Sequence, residues 1–505
     1  MIGRVPDAAG ATPLVSLGRL RRRADPTHLA LAGIVVLAAV LRFPTLGVQS
    51  FWLDEGIAID SMRHGFGAMF DSIAHTEGNP PFYFVLGWGW TRIFGDSEAG
   101  IRSLSALFGL ATVPVVFAIG RRLATPRVAL VAAALVATNP LLVWFSQEAR
   151  PYALVVLLSS LSVLLLLRVL ERPTTRGLAG WAVVCALTLA THYFAGLLVA
   201  IESAWLLARV RPLRLPAAAV GAVALAVAAL APLIAEQRSI QDFSFVQGES
   251  LLTRFAAQVP KQFLIGYDAP LERIATVGCV LLIAVAIALL LTRSEPRERR
   301  AAVVGASLGI GVLVVALVLG AAGFDYLLSR YVIGALVPLI LVAAAGYGAR
   351  RAGRAGMAAA AVMCAVSVAV VIAVDARVDL QRDDWRGVAE ALPPPTGPRA
   401  FVISPIHGSI PLALYVPRLR PLPPAGAVVS EIAAVAIAKH EAGQTRHAPP
   451  IPPIPPPPGF TEVARRSGST YSLVVYRAPQ PLPVAPPELA GTSLEPGAPD
   501  LRLEP

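Results

Sequence analysis

Long apolar runs separated by short polar gaps fill the first three quarters of the chain. Runs near 28–46, 99–120, 128–146, 152–170, 216–235, 274–292, 301–321, 328–348 and 356–374 match the roughly 17–25 residues a helix needs to cross a bilayer. One more run covers 178–208. As one helix it would be about 45 Å long, against a hydrocarbon core of about 30 Å. Thr191-His192-Tyr193 also interrupts its middle, so two closely joined helices are expected, giving eleven crossings. The segment from Pro80-Pro81-Phe82 to Phe94, with Trp88 and Trp90, is apolar enough to insert. It is read as a re-entrant or surface-lying helix. The rival count makes 80–95 a span and 178–208 a single helix, which exports arginines.

Beyond about 375 the pattern changes. Asp375 to Arg386 is charged, Ala400–Ser404 and Tyr471–Tyr476 look like short strands, and Glu431–Glu441 has helical character. A small α/β domain is expected at 375–477, interrupted by a stiff Pro-rich loop at 448–458. Residues 478–505, rich in Pro and Gly, are expected to be disordered.

Composition agrees with a polytopic membrane protein: of 505 residues 55% are hydrophobic and 15% charged, with a mean hydropathy of +0.65. The net charge of +11 does not point to nucleic acid. The arginines cluster in gaps between apolar runs, at Arg121/Arg122/Arg127, Arg172/Arg176, Arg209/Arg211/Arg214, Arg293/Arg297/Arg299/Arg300 and Arg350/Arg351/Arg354. Placing these in the cytoplasm with the N-terminal segment 1–27 satisfies the positive-inside bias. Arg19 and Arg21–Arg23 precede a first run too long for a signal-peptide core, so it is read as a retained span. Loops 47–98 and 236–273, and everything after 375, then face outside. Cys185, Cys279 and Cys364 lie in apolar runs and read as small core residues.

The external side collects the candidate chemistry. Trp52-Leu53-Asp54-Glu55 delivers adjacent carboxylates to the membrane surface, suited to holding a cation or accepting a proton; otherwise they are a solvated loop start. Arg150 lies at the outer end of a span, either to bind phosphate bidentately or to snorkel and pair with Glu148. Arg330 begins a late span beside Tyr331, His192 interrupts an apolar hairpin, and Lys261 sits among Phe255, Phe263 and Tyr267 in an amphipathic lid or interfacial helix. A hard divalent ion, Mg or Mn, would have Asp54, Glu55 and Glu148 as ligands. Without a HExxH or Cys/His cluster zinc is not indicated, and without a phosphate-cradling glycine loop no nucleotide cofactor is expected.

These residues come in a recognisable order. Trp-x-Asp-Glu follows the first span, then an aromatic-flanked Pro-Pro, Arg102-Ser-Leu-Ser-Ala-Leu-Phe-Gly109, Ser146-Gln-Glu-Ala-Arg-Pro-Tyr152 and Thr191-His-Tyr-Phe194. Ser329-Arg-Tyr331, Pro338 and Asp384-Trp-Arg386 complete the series. Over about 28–390 the chain resembles bacterial GT-C glycosyltransferases, in the group related to protein O-mannosyltransferases and aminoarabinose transferases. The resemblance implies an all-α polytopic fold of about 11–13 helices with a small extracytoplasmic α/β domain, in the bacterial plasma membrane. It implies a sugar donor on polyprenyl phosphate, and transfer at the outer face to an envelope glycan, lipid or protein. Asp54 corresponds to the family's first-loop acidic residue, the general base, with Glu55 beside it. Arg150, Arg330, His192 and Lys261 are then expected at the donor phosphate, and Glu148, Tyr152, His75, Asn79 and Tyr193 at the substrate. Relatives carry His before the Pro pair where this chain has Asn79, with His75 four residues upstream, so that histidine's role does not transfer.

Two other classes compete. A transporter or lipid-linked-sugar flippase would place charge at the midplane and show repeated halves; here charge gathers at one face and no repeat is visible. An envelope scaffold leaves Asp54 unexplained.

Overall fold

The computed structural model describes residues 25–240, 249–438 and 447–505. The basic segment 1–24, the middle of the second external loop (241–248) and 439–446, which includes Glu441, lie outside the described residues.

The membrane part opens with α1 (Pro26–Val40), followed by three short helices, α2 (Leu53–Arg63), α3 (Phe66–Thr76) and α4 (Phe82–Phe94). Then come α5 (Glu98–Leu123), α6 (Pro126–Thr138), α7 (Pro140–Ser146), α8 (Tyr152–Glu171), α9 (Thr175–Leu189), α10 (Gly196–Arg209) and α11 (Arg214–Ile240). After a second long connection, which carries α12 (Leu251–Thr253) and α13 (Val259–Ile265), come α14 (Glu272–Arg293), α15 (Pro296–Ala321), α16 (Leu336–Tyr347) and α17 (Gly353–Ala376). Among the described residues six helices, α5, α8, α11, α14, α15 and α17, are long and apolar enough to cross a membrane, or seven if α6 and α7 form one span. The 178–208 run divides into α9 and α10 around His192, and the 80–95 segment is the 13-residue α4, about 20 Å long and short of a bilayer core.

The break between α6 and α7 bends the path by 57°. Asn139 forms it: its backbone amide donates to Leu135 O at 2.9 Å to close α6, and its side-chain oxygen caps α7 by accepting from the Leu142 amide at 3.1 Å. Arg42, fully buried, fixes the bend by donating to Ala38 O (3.1 Å), Ala137 O (2.8 Å) and Ser146 Oγ (3.1 Å). These carbonyls lie at helix C-termini, where a cation is favoured. Gly109 is required beside this knot, because a Cβ there would stand 2.1 Å from Ser146 Oγ.

After α17 the chain enters a C-terminal domain: α18 (Trp385–Ala391), β1 (Arg399–Ser404), α19 (Ser409–Leu412), β2 (Arg420–Pro421), β3 (Ala427–Ile437), β4 (Thr461–Ser467), β5 (Tyr471–Val484), α20 (Pro486–Ala490) and β6 (Asp500–Glu504). They form one sheet of order β2-β6-β1-β3-β5-β4, with β1 and β3 parallel and the other pairs antiparallel.

Two expectations are corrected here. The stretch from Glu431 is strand, not helix: β3 lies between β1 and β5 with Ile432 through Ala436 fully buried. A strand covered on both faces loses its alternation, and the alanines imitate a helix. Nor is 478–505 disordered. β5 continues to Val484, and β6 pairs with β1 along five residues, burying Leu503.

Candidate functional site

The site grows from the first turn of α2. Asp54 and Glu55 sit at a helix N-terminus, which favours both charges. Neighbours on a helix point about 100° apart, and these two diverge in environment. Glu55 is fully buried, receiving Arg102 Nη2 at 2.6 Å, Arg102 Nε at 2.8 Å and the Ala149 amide at 2.8 Å. Burial alone would raise its pKa; Arg102 and the amide outweigh that and hold it below the usual value. Arg102 also donates to the carbonyls of Leu46, Gln49 and Ser50. Expected as a catalytic group, Glu55 instead anchors the loop from within.

Asp54 keeps 26% of its side chain exposed and faces Arg330 across 3.6 Å, itself 21% exposed. Arg330 also lies over the Tyr331 ring.

The other expected cations are committed elsewhere. Arg150 donates to both oxygens of Glu77 (2.7 and 2.8 Å) and to the Asp54 carbonyl at 3.1 Å. Its charge is thus balanced by a buried carboxylate, and its contact with the α2 turn positions Asp54. Lys261 donates to Tyr267 O at 2.6 Å and pairs with Glu272 at 3.1 Å, so the helix that bears it ties down its own loop. Glu148 pairs with Arg382 at 3.2 Å. Burial pushes Glu148 up to about 7 even beside that guanidinium.

His192 is packed among Tyr152, Phe194 and Tyr331, with centroids 5.7, 5.7 and 5.8 Å away. Neither ring nitrogen has a hydrogen-bond partner among the described residues. Burial first, then Arg150 and Arg330, pushes it down to about 3. It is therefore neutral at ordinary pH, and a cationic role at a phosphate does not suit it. Asn79, Tyr193 and His75 gather instead at the end of α11. Gln237 accepts from Tyr193 Oη (2.8 Å) and donates to Asn79 O (3.1 Å), while His75, largely exposed, pairs with Glu236 at 3.6 Å.

The C-terminal domain grips the approach to α2. Arg386 donates to Gly47 O (3.0 Å), Val48 O (2.6 Å) and Glu98 (3.2 Å). The Tyr415 hydroxyl accepts from the Phe51 amide and donates to Glu98, both at 2.7 Å. Arg382 adds Gln49 at 2.9 Å. Glu77, Arg382 and Gln237 were not singled out from sequence, and no local spacing signals them, since their partners lie far along the chain.

The expected metal ligands do not converge. Glu55 and Glu148 are each turned onto an arginine, and among the described residues no group of three or more His, Cys, Asp or Glu side chains could hold an ion.

A helical membrane bundle with short helices between its first two long apolar segments, closed by a small sheet domain, is a GT-C-like fold. The model of the dolichyl-phosphate-mannose-protein mannosyltransferase family matches residues 78–235, a stretch that contains Arg102, Arg150 and His192. Among solved structures, ArnT from Cupriavidus metallidurans in the apo state is similar at a TM-score of 0.56 and 13% identity, over 89% of this chain and 98% of that one. The same protein bound to undecaprenyl phosphate gives a TM-score of 0.55 and 13% identity, over 88% and 97%. At this identity the likeness is one of fold. No curated protein matches the chain by sequence.

Proposed function

We propose that this protein is a membrane glycosyltransferase that moves a sugar from a polyprenyl-phosphate donor to an envelope acceptor at the extracytoplasmic face, with Asp54 as general base. The observation that carries the reading is the difference among the carboxylates of the site. Glu55, Glu77 and Glu148 are buried against arginines, whereas Asp54 alone of these four stays partly open, beside Arg330. The family match over 78–235 and the fold shared with a protein solved with undecaprenyl phosphate support the donor class.

Asp54 takes the proton of an acceptor hydroxyl as its oxygen attacks the anomeric carbon. The bond from that carbon to the phosphate oxygen breaks, and polyprenyl phosphate leaves as an anion. Arg330 stabilises the leaving phosphate. As its guanidinium turns to that phosphate, the Asp54 carboxylate is released to accept the proton. One displacement with one base gives inversion at the anomeric carbon. No step is assigned to a metal.

The test is transfer by purified protein in liposomes, from radiolabelled polyprenyl-phosphate sugars to envelope extract. Wild type is expected to label the extract, and Asp54→Asn to lose about 10²–10⁴ in rate with its thermal midpoint kept. Equal transfer by the mutant removes Asp54 as base. No transfer from any donor by folded wild type rejects the transferase reading.

A further inference from the structure

Apart from the Asp54 site, a concavity lies in the C-terminal sheet domain. It is an open surface hollow of about 630 Å³ between α18 and the turn joining β4 to β5, a shape suited to an extended ligand lying along the surface rather than one buried within it. Its lining includes Asp384 and Glu390 from α18, and Arg466, Ser469 and Tyr471 from the hairpin. Val378, just beyond the end of α17, closes one side, so the cleft opens where the chain leaves its last long apolar helix.

These groups are arranged to hold polyhydroxylated chains. Carboxylates accept from sugar hydroxyls, while a guanidinium and a serine hydroxyl donate to sugar oxygens. An aromatic ring offers a flat face to a sugar's C–H bonds. Gly468 makes room for that ring, since a Cβ there would lie 2.3 Å from Tyr471. Burial raises the Tyr471 pKa, and Asp384 and Glu390 add to it while Arg466 opposes them, as expected if all three surround the ring. Asp384 uses one oxygen to cap α18 through the Gly387 amide at 2.9 Å. Glu390 and Arg466 are exposed. Two carboxylates against one guanidinium disfavour an anionic ligand. The same α18 carries Arg386, which holds Gly47 and Val48 ahead of Asp54, so the cleft and the Asp54 turn share a rigid element.

We propose that this cleft is a subsite for a neutral glycan chain of the acceptor. The proposal rests on the transferase reading for its role, while binding itself is measured independently of transfer. The chain has two sources, a soluble or wall polysaccharide and the headgroup of a glycolipid.

The experiment uses full-length protein in nanodiscs. One arm titrates soluble maltohexaose, with hexagalacturonate as the anionic comparison; the other places digalactosyl diacylglycerol in the disc. Binding in either arm supports the subsite, and the arm that binds more tightly identifies the source. Glu390→Gln and Arg466→Gln are each expected to weaken binding about tenfold, the scale of one lost charged hydrogen bond. Hydrolysis of a polyprenyl-phosphate sugar in the same discs is expected to be unchanged in both variants. Absence of binding in both arms, binding untouched by both substitutions, or tighter binding of hexagalacturonate overturns the subsite. Failure of wild type to transfer from any polyprenyl-phosphate sugar to envelope extract would count against the transferase reading while leaving the binding result standing.

Discussion

Asp54 and Arg330 form a pair in which neither charge is buried deeply enough to be locked, with 26% and 21% of their side chains exposed. A half-buried pair held at 3.6 Å, without a short charged hydrogen bond, is one that a ligand phosphate can replace. Arg330→Gln is therefore expected to leave the melting temperature nearly unchanged and raise the donor KM about 10- to 100-fold. Arg330→Lys should recover only part of this, because an ammonium lacks the fork that grips phosphate oxygens; initial rates against donor concentration measure both. Glu148 behaves in the opposite way. Its folded pKa of about 7 lies above the ordinary 4.5, so its contribution to stability is full below about 4.5 and is lost as pH rises toward 7. Glu148→Gln has no proton to lose. Its melting temperature, relative to wild type, is expected to improve between pH 5 and pH 8. The sequence made Asp54, Arg330 and Glu148 visible because each stands in a short polar gap beside a long apolar run. It did not reveal the pairings: Glu55 meets Arg102, Glu77 meets Arg150 and Glu148 meets Arg382 across separations that no local spacing encodes. Glu55 and Asp54 are indistinguishable as neighbours in sequence, and only the turn of α2 sends one inward.

At the level of elements, the helices were legible wherever an apolar run had room for them, and His192 marked the division of 178–208 into α9 and α10. The failures were β3 and β6. In β3 both faces are covered, so the Ala-rich run beginning Ser430-Glu431-Ile432 carries no alternation to read. In β6 only Leu501 and Leu503 are available to suggest a strand, and the Pro and Gly around them dominate the composition. The element that matters most for the site is the segment 47–52, which has no regular structure and is held by side chains. Tyr415 bonds both the Phe51 amide and Glu98 at 2.7 Å. Tyr415→Phe is expected to cost about 1–2 kcal/mol and to lower kcat with the donor KM changed by less than about twofold, since it loosens the base without touching the phosphate side. An equal rise in KM would show that the segment also shapes the donor site.

For the whole molecule, the external sheet and the membrane bundle are joined through Arg382, Arg386 and Tyr415 as well as through the chain itself. Deleting 500–504 removes the strand between β1 and β2 and the burial of Leu503. The loss is expected to be about 2 kcal/mol or more from that side chain and its ladder, and limited proteolysis should then digest the external domain while leaving the bundle intact. The grip on residues 47–51 also sets an order of assembly. Those residues leave the ribosome early, but Arg382, Arg386 and Tyr415 emerge more than three hundred residues later. Arg102 and Arg150, which hold Glu55 and the Asp54 carbonyl, are made long before them, so the turn of α2 is set from within first and gripped from the sheet domain last, once that domain has folded.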